Sequence, residues 1–114
     1  MPTHHQINYL EFQAENLDVI KKFYKSAFGW KLTDYGPEYT SFNDGRMEGG
    51  FSKGKVFGTG TPLVIIYSEN LEVSLKTIAE HGGKIVRPTY SFPGGQRFHF
   101  TDPAGNELAV WSDK

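Results

Sequence analysis

The hexapeptide AENLDV, residues 14–19, returns 54 positions later as SENLEV, residues 68–73, and this repetition decides the fold. At the same offset Lys22 aligns with Lys76 and Gly29 with Gly83, so the similarity extends without a gap beyond the hexapeptide. A chain that repeats one segment of this length is expected to repeat one supersecondary unit. The sequence therefore predicts two copies of the same structural motif.

Each copy is predicted to begin with a strand that leads into a helix. The stretches 7–12 (INYLEF) and 62–68 (PLVIIYS) have the aromatic and β-branched content of strands. Asn16 and Asn70 follow at the positions expected for helix N-caps. Apolar spacing predicts that the first helix turns one stripe toward the core, formed by Val19, Ile20, Phe23, Tyr24 and Ala27.

Three further short strands are predicted after each helix, at 30–35, 39–43 and 47–52 and again at 84–90, 96–101 and 107–112. Pro88 indicates that the strand over 84–90 lies at an edge, because proline cannot donate to a ladder. A glycine-rich linker, 53–61, separates the halves. The chain is thus predicted to be one α+β domain over 1–114, with βαβββ repeats at about 5–53 and 62–113.

Two such repeats are expected to form a cupped, barrel-like mixed sheet with the helices outside and a ligand in the concavity. The alternative is a pair of ferredoxin-like halves with a filled core and no pocket. We also expect a homodimer, because the strand edges and aromatic rims of such a sheet need cover.

Composition excludes several classes of function. The formal net charge is −1, which gives no reason to expect a nucleic-acid partner. The apolar runs are too short for a membrane span. The chain has no cysteine, so disulfides, thiolate metal sites and cysteine nucleophiles are excluded, and a cytoplasmic location fits.

Two motifs resemble those of the vicinal oxygen chelate superfamily, which includes glyoxalase I, extradiol dioxygenases and bleomycin-resistance proteins. They are ENLDVIKKFYKSAFGWKL after the first strand and FTDPAGNELAVW near the end of the chain. In metal-dependent members, the resemblance implies, each half supplies two side chains to a divalent ion, one from its first strand and one from its last. The matching positions here are Tyr9, Leu63, Ala109 and a residue near Gly49.

These four residues are poor metal ligands, since Leu, Ala and Gly have no side-chain donor and a neutral Tyr is a weak one. We therefore expect neither a metal nor another cofactor. A relocated metal site remains an alternative, and its candidate ligands are His4, His5, Glu11, His99 and Glu107.

The last two strands supply most of the predicted ligand site. If Thr101 pairs with Glu107 across the DPAG turn, then His99 pairs with Ala109 and shares its face. The predicted substrate-binding residues are Tyr9, Glu11, Tyr67, Arg97, His99, Glu107 and Trp111. A shift of one residue would turn His99 toward the helix instead. In a second interpretation the aromatic side chains fill the barrel, Glu11 pairs with Arg97, and His99 is a structural histidine.

Two functions follow from this site. The first is a metal-free binding protein, similar to the drug-sequestering resistance members, that holds a small apolar or aromatic molecule. The second is a glyoxalase-like lyase or isomerase, either metal-free or with a relocated metal site, in which a His–Glu pair serves as acid and base. A third possibility is a structural remnant without activity.

Overall fold

The computed structural model describes residues 2–54 and 62–114. Its elements in chain order are β1 (Ile7–Ala14), α1 (Leu17–Phe28), β2 (Lys31–Asp34), β3 (Tyr39–Asn43), β4 (Glu48–Lys53), β5 (Leu63–Tyr67), α2 (Leu71–Glu80), β6 (Lys84–Phe92), β7 (Gly95–Thr101) and β8 (Glu107–Ser112). The α+β class and the two predicted βαβββ repeats are confirmed. Most of the predicted linker, residues 55–61, lies outside the described residues.

The chain divides into two compact units, which follow the two repeats. We call Tyr9–Pro62 the first-repeat unit, and Met1–Asn8 together with Leu63–Lys114 the second-repeat unit. The strand order is β2-β3-β4-β1 in the first-repeat unit and β5-β8-β7-β6 in the second-repeat unit. In each unit the first and last strands of the repeat are parallel and the other pairs are antiparallel. Both sets of strands are therefore mixed.

Both helices begin where the sequence predicts. The side chains of Asn16 and Asn70 accept hydrogen bonds from the backbone N–H groups of Val19 and Val73, at 3.2 and 3.1 Å. These contacts satisfy an N–H group that the first helical turn leaves without a partner. Helix α1 ends at Gly29, whose φ of 72° is the left-handed conformation that glycine adopts without strain.

In the first-repeat unit, α1 packs on the sheet through only part of the predicted stripe: Ile20 and Tyr24 face the core, whereas Val19, Phe23 and Ala27 are exposed. Leu17 is buried, and Ile20 and Tyr24 pack against the core residues Phe42 and Phe51. Val19 and Phe23 are instead 60% and 53% exposed. The prediction that they face the core is wrong, because this helix has apolar side chains on more than one face and their spacing alone does not choose between them.

In the second-repeat unit, α2 covers one face of its strands. Leu71 is buried there, and Leu75 and Ile78 pack against the same core cluster. The strand residues in this cluster are Ile66, Ile85, Phe98, Phe100, Leu108 and Val110. Because side chains alternate along a strand, residues such as His99 and Ala109 point away from α2.

Neither helix of the described chain is long and apolar enough to cross a membrane.

Candidate functional site

The face of the second-repeat unit that points away from α2 carries five of the seven predicted site residues. The predicted register of β7 and β8 is confirmed, since Thr101 pairs with Glu107, His99 with Ala109 and Arg97 with Trp111. Tyr67 of β5 pairs with Trp111 in parallel and is on the same face. The alternative in which His99 turns toward the helix is therefore wrong. We call this surface the helix-free face of the second-repeat unit.

His99 is buried on this face, and both of its ring nitrogens are hydrogen-bonded. Its Nδ1 lies 3.0 Å from Oε2 of Glu107, and its Nε2 lies 2.8 Å from the hydroxyl of Tyr90. A carboxylate accepts only, so Nδ1 carries the proton and Nε2 accepts from Tyr90. His99 is thus the satisfied histidine of the second interpretation, and it is also a base with a proton donor already in place.

Arg87 and Tyr90 both lie on the face of His99 because of an irregularity in β6. Arg87 pairs with His99 and Tyr90 pairs with Arg97, so β6 has two residues between these pairs where β7 has one. The extra residue is a β-bulge, and it reverses the alternation of side chains beyond it. Arg87 and Tyr90 consequently lie on the same face, where the Arg87 guanidinium is 3.8 Å from the centre of the Tyr90 ring.

Arg97 completes this cluster. Its Nε donates a hydrogen bond to the Tyr90 hydroxyl, which in turn donates to His99. The hydrogen bonds therefore run in one direction, from Arg97 through Tyr90 and His99 to Glu107.

The predicted edge position of the strand containing Pro88 is confirmed, because β6 is the last strand in the order.

Burial sets the charge state of His99. It lowers the pKa of the imidazole below its ordinary value of 6.5, and the hydrogen bond to Glu107 opposes this only in part. The positive charges of Arg97 and Arg87 lower the same pKa further. At neutral pH His99 is therefore neutral, so its contact with Glu107 is a hydrogen bond and not an ion pair.

Aromatic side chains lie beside this cluster. The ring of Trp111 is 5.1 Å from that of Tyr67 and 6.3 Å from that of Phe92, measured between centroids. The Trp111 indole N–H donates to Asn8 at 2.9 Å, which fixes the plane of the ring. The Tyr67 hydroxyl donates to Asp113 at 2.6 Å, and this contact raises the pKa of Tyr67 to about 12. Both rings are held in place by hydrogen bonds at their polar ends.

The other two predicted residues, Tyr9 and Glu11, meet in the first-repeat unit through a residue that the sequence did not single out. The Tyr39 hydroxyl donates to Oε2 of Glu11 at 3.3 Å, and it also hydrogen-bonds to the hydroxyl of Tyr9. Burial is the main reason that the pKa values of both tyrosines are raised. Both phenols are therefore protonated at neutral pH.

Gly50 leaves room for the hydroxyl groups of Tyr9 and Tyr39, because it has no side chain. A Cβ atom at Gly50 would overlap the Tyr39 hydroxyl, whereas one at Gly49 would overlap the Phe42 ring on the core side. Gly50 pairs with Glu11, in the way that Ala109 pairs with Ile65 in the second repeat. The expected counterpart of Ala109 near Gly49 is therefore corrected to Gly50.

Arg87, Tyr90 and Tyr39 are polar residues of these clusters that sequence reasoning missed. The hairpin was an available signal for Tyr90, because a two-residue turn at Pro93 and Gly94 pairs Tyr90 with Arg97 across β6 and β7. Pro88, which does not fit inside a regular strand, was the available signal of a bulge. Tyr39 gave no comparable signal, because its contact with Glu11 joins strands that are not adjacent in sequence.

The four positions at which the family resemblance implies metal ligands carry no set of donors that fits a divalent ion. Leu63 and Ala109 are buried in the second-repeat unit and have no donor atom. In the first-repeat unit, Gly50 has no side chain, and the Tyr9 hydroxyl is engaged with Tyr39. Among residues 2–54 and 62–114, no group of three or more His, Asp or Glu side chains is arranged to hold a metal.

Comparison with known proteins gives a family and a fold. A family model described as the Glyoxalase/Bleomycin resistance protein/Dioxygenase superfamily matches residues 6–110. A search of curated proteins finds no match.

Solved structures with the same fold are distant in sequence. A methylmalonyl-CoA epimerase from Mycobacterium tuberculosis is 9% identical with a TM-score of 0.75, over 98% of this chain and 91% of that one. An NAD-dependent benzaldehyde dehydrogenase from Legionella pneumophila is 15% identical with a TM-score of 0.73, over 94% and 99%. A Mn(II)-bound glyoxalase from Novosphingobium aromaticivorans is 17% identical with a TM-score of 0.71, over 99% of this chain and 40% of that one. At such identities the likeness concerns the fold alone.

Proposed function

Because the chain belongs to the glyoxalase/bleomycin resistance/dioxygenase superfamily, we propose that it is a metal-free member that binds a small apolar or aromatic molecule. The observation that carries this proposal is the chemistry of the four matching positions. Tyr9, Leu63, Ala109 and Gly50 offer no set of N or O donors to a divalent ion. We infer that the scaffold then serves to bind a ligand without a metal.

The aromatic cluster of the second-repeat unit supports a flat ligand. Trp111 and Phe92 are partly exposed, and the guanidinium of Arg97 is 5.8 Å from the centre of the Phe92 ring. Aromatic side chains contribute most when they stack on an apolar partner, and a nearby cation orients any polar group on it. The predicted residues Arg97 and Trp111 thus combine apolar surface with one positive charge.

Binding can be tested by thermal unfolding with substituted phenols, benzoates and naphthols, and in parallel with Mn²⁺, Ni²⁺ and Zn²⁺. We expect at least one aromatic compound to raise the melting temperature, since a ligand that binds the native state stabilises it by mass action. Trp111→Ala should weaken that binding about tenfold or more, the size of a central aromatic contact.

Tyr35→Ala is the matched control, because Tyr35 is 65% exposed and belongs to the first-repeat unit, whereas Trp111 belongs to the second. It should leave the affinity unchanged. Stabilisation by a divalent ion alone, or an affinity for the aromatic compound that Trp111→Ala does not reduce, would refute the proposal.

The expected homodimer stays a prediction, which light scattering of the purified chain would test.

The second candidate is a metal-free lyase or isomerase. The contact between His99 and Glu107, at 3.0 Å, is the observation in its favour, because a carboxylate that orients a neutral imidazole is a common arrangement for a general base. Turnover of a carbonyl compound that is abolished by His99→Asn would favour this candidate over binding alone.

A further inference from the structure

The cluster around Tyr90 has the geometry of an activated nucleophile. A hydroxyl, a base within hydrogen-bond reach of it, and a third group that orients the base are the three parts of such a site. Here they are Tyr90, His99 and Glu107, joined by contacts of 2.8 and 3.0 Å. We propose that these three residues form a triad in which the Tyr90 hydroxyl attacks small acyl or sulfonyl electrophiles.

The direction of the hydrogen bonds agrees with this role. Glu107 fixes the tautomer of His99 that has its proton on Nδ1, so the bare Nε2 faces the Tyr90 hydroxyl. A neutral imidazole is the form that can take a proton, and burial keeps His99 neutral by lowering its pKa. The base is therefore both oriented and in the reactive charge state at neutral pH.

Two arginines place positive charge beside the phenolate that forms when Tyr90 loses its proton. Arg97 donates to the phenolic oxygen through Nε, where the negative charge develops. Arg87 lies over the ring, 3.8 Å from its centre. A fixed positive group at the atom that gains charge stabilises the transition state without reorganisation.

The β-bulge is an independent observation. The hairpin register of β6 and β7 places Tyr90 opposite Arg97, on the face of His99, and the extra residue between Arg87 and Tyr90 brings Arg87 onto that face as well. Bulges are common beside active sites, where they re-aim a side chain.

The chemical step is balanced without a cofactor. The Tyr90 oxygen attacks the electrophilic carbon or sulfur, and its proton passes to Nε2 of His99. The new O–C or O–S bond forms as the bond to the leaving group breaks, and the leaving group departs with the electron pair. The imidazolium that results is paired with Glu107 and returns its proton to the leaving group or to water.

The triad is independent of the proposed ligand-binding function. It is built within the second-repeat unit and needs neither Trp111 nor the absence of a metal. A failure of aromatic ligands to bind would leave it standing, and a failure of Tyr90 to react would leave the binding function standing.

The test uses benzenesulfonyl fluoride on the full chain at pH 7.5, with the modified tyrosines identified by peptide mass spectrometry. Tyr35 serves as a reference within the same molecule, because it is 65% exposed. We expect Tyr90 to be modified about 100-fold faster than Tyr35, the lower range for general-base assistance. Fluoride should be released in equal amount to the modified Tyr90.

Variants then separate the triad from simple accessibility. His99→Asn and Glu107→Gln should each slow the reaction of Tyr90 by about tenfold or more, with the rate at Tyr35 unchanged. His81→Asn, at an exposed histidine just after α2, is the matched control and should have no effect. If His99→Asn does not fold, the Glu107→Gln variant still tests the proposal, and so does the ratio of the Tyr90 and Tyr35 modification rates in the unaltered chain. Equal rates at the two tyrosines, or a Tyr90 rate that neither variant lowers, would overturn the proposal.

Discussion

Phe98→Ala is expected to lower the free energy of unfolding by about 3–5 kcal/mol, the range for removing a phenylalanine from a core. Phe98 is 0% exposed and packs with Leu71, Phe100 and Val110 under α2. The change removes buried apolar area and leaves a cavity that the neighbouring strands cannot close. Because domains of this size are stable by only about 5–15 kcal/mol, urea unfolding of the variant should show a much lower midpoint.

Phe23→Ala is the control for that measurement, since it removes the same side chain from a position that is 53% exposed. It should cost about 1 kcal/mol or less. If the two variants lost similar stability, the assignment of the helix-facing residues in β7 would be wrong. His99, which is the next residue along the strand, would then lie on the opposite face from the one described.

His99→Ala is expected to cost about 2 kcal/mol at pH 7.5, because it leaves partly buried groups without a hydrogen-bond partner. The Glu107 carboxylate and the Tyr90 hydroxyl both lose their contact with the imidazole. Tyr90 keeps its bond from Arg97, and Glu107 is partly open to water, so the cost stays well below that of Phe98→Ala. Chemical unfolding of His99→Ala checks this value. His81→Ala is the control, because His81 is an exposed histidine whose removal should cost about 0.5 kcal/mol or less.

The pH dependence of that difference follows from the lowered pKa of His99. Above about 6.5, the unfolded value, the imidazole is neutral in both states and its full contribution to stability is present. As the pH falls below this value, the unfolded chain takes up a proton that the folded chain resists, so the contribution is lost through the folded pKa. The cost of His99→Ala should therefore shrink between pH 7.5 and pH 5. A cost that grew on acidification would mean that a charged His99 pairs with Glu107 in the folded state.

The sequence was sufficient to predict the parts of the fold that depend on local signals. The repeat predicted both βαβββ units, and Asn16 and Asn70 predicted both helix starts. For β7 and β8 the DPAG turn favoured the observed register but left a shift of one residue open, which the pairing of Thr101 with Glu107 excludes. The N-cap and turn signals lie within a few residues of the helix start or strand pairing that they predict.

The features that the sequence did not reveal depend on contacts between distant residues. The stripe of α1 that faces the core is chosen by the strands beneath it, and Leu17, Ile20 and Tyr24 fit them where Val19 and Phe23 do not. The position of Arg87 over the Tyr90 ring depends on a bulge that changes which side chains share a face. A one-residue error in the position on β4 likewise pointed to Gly49 where the pairing gives Gly50.

The central claim, that this chain works without a metal, is tested most directly by calorimetric titration of the chelator-treated protein with Mn²⁺, Ni²⁺ and Zn²⁺. We predict no saturable binding, because Tyr9, Gly50, Leu63 and Ala109 supply no set of ligands to such an ion. Binding of one equivalent of any of the three ions, accompanied by a higher melting temperature, would contradict it.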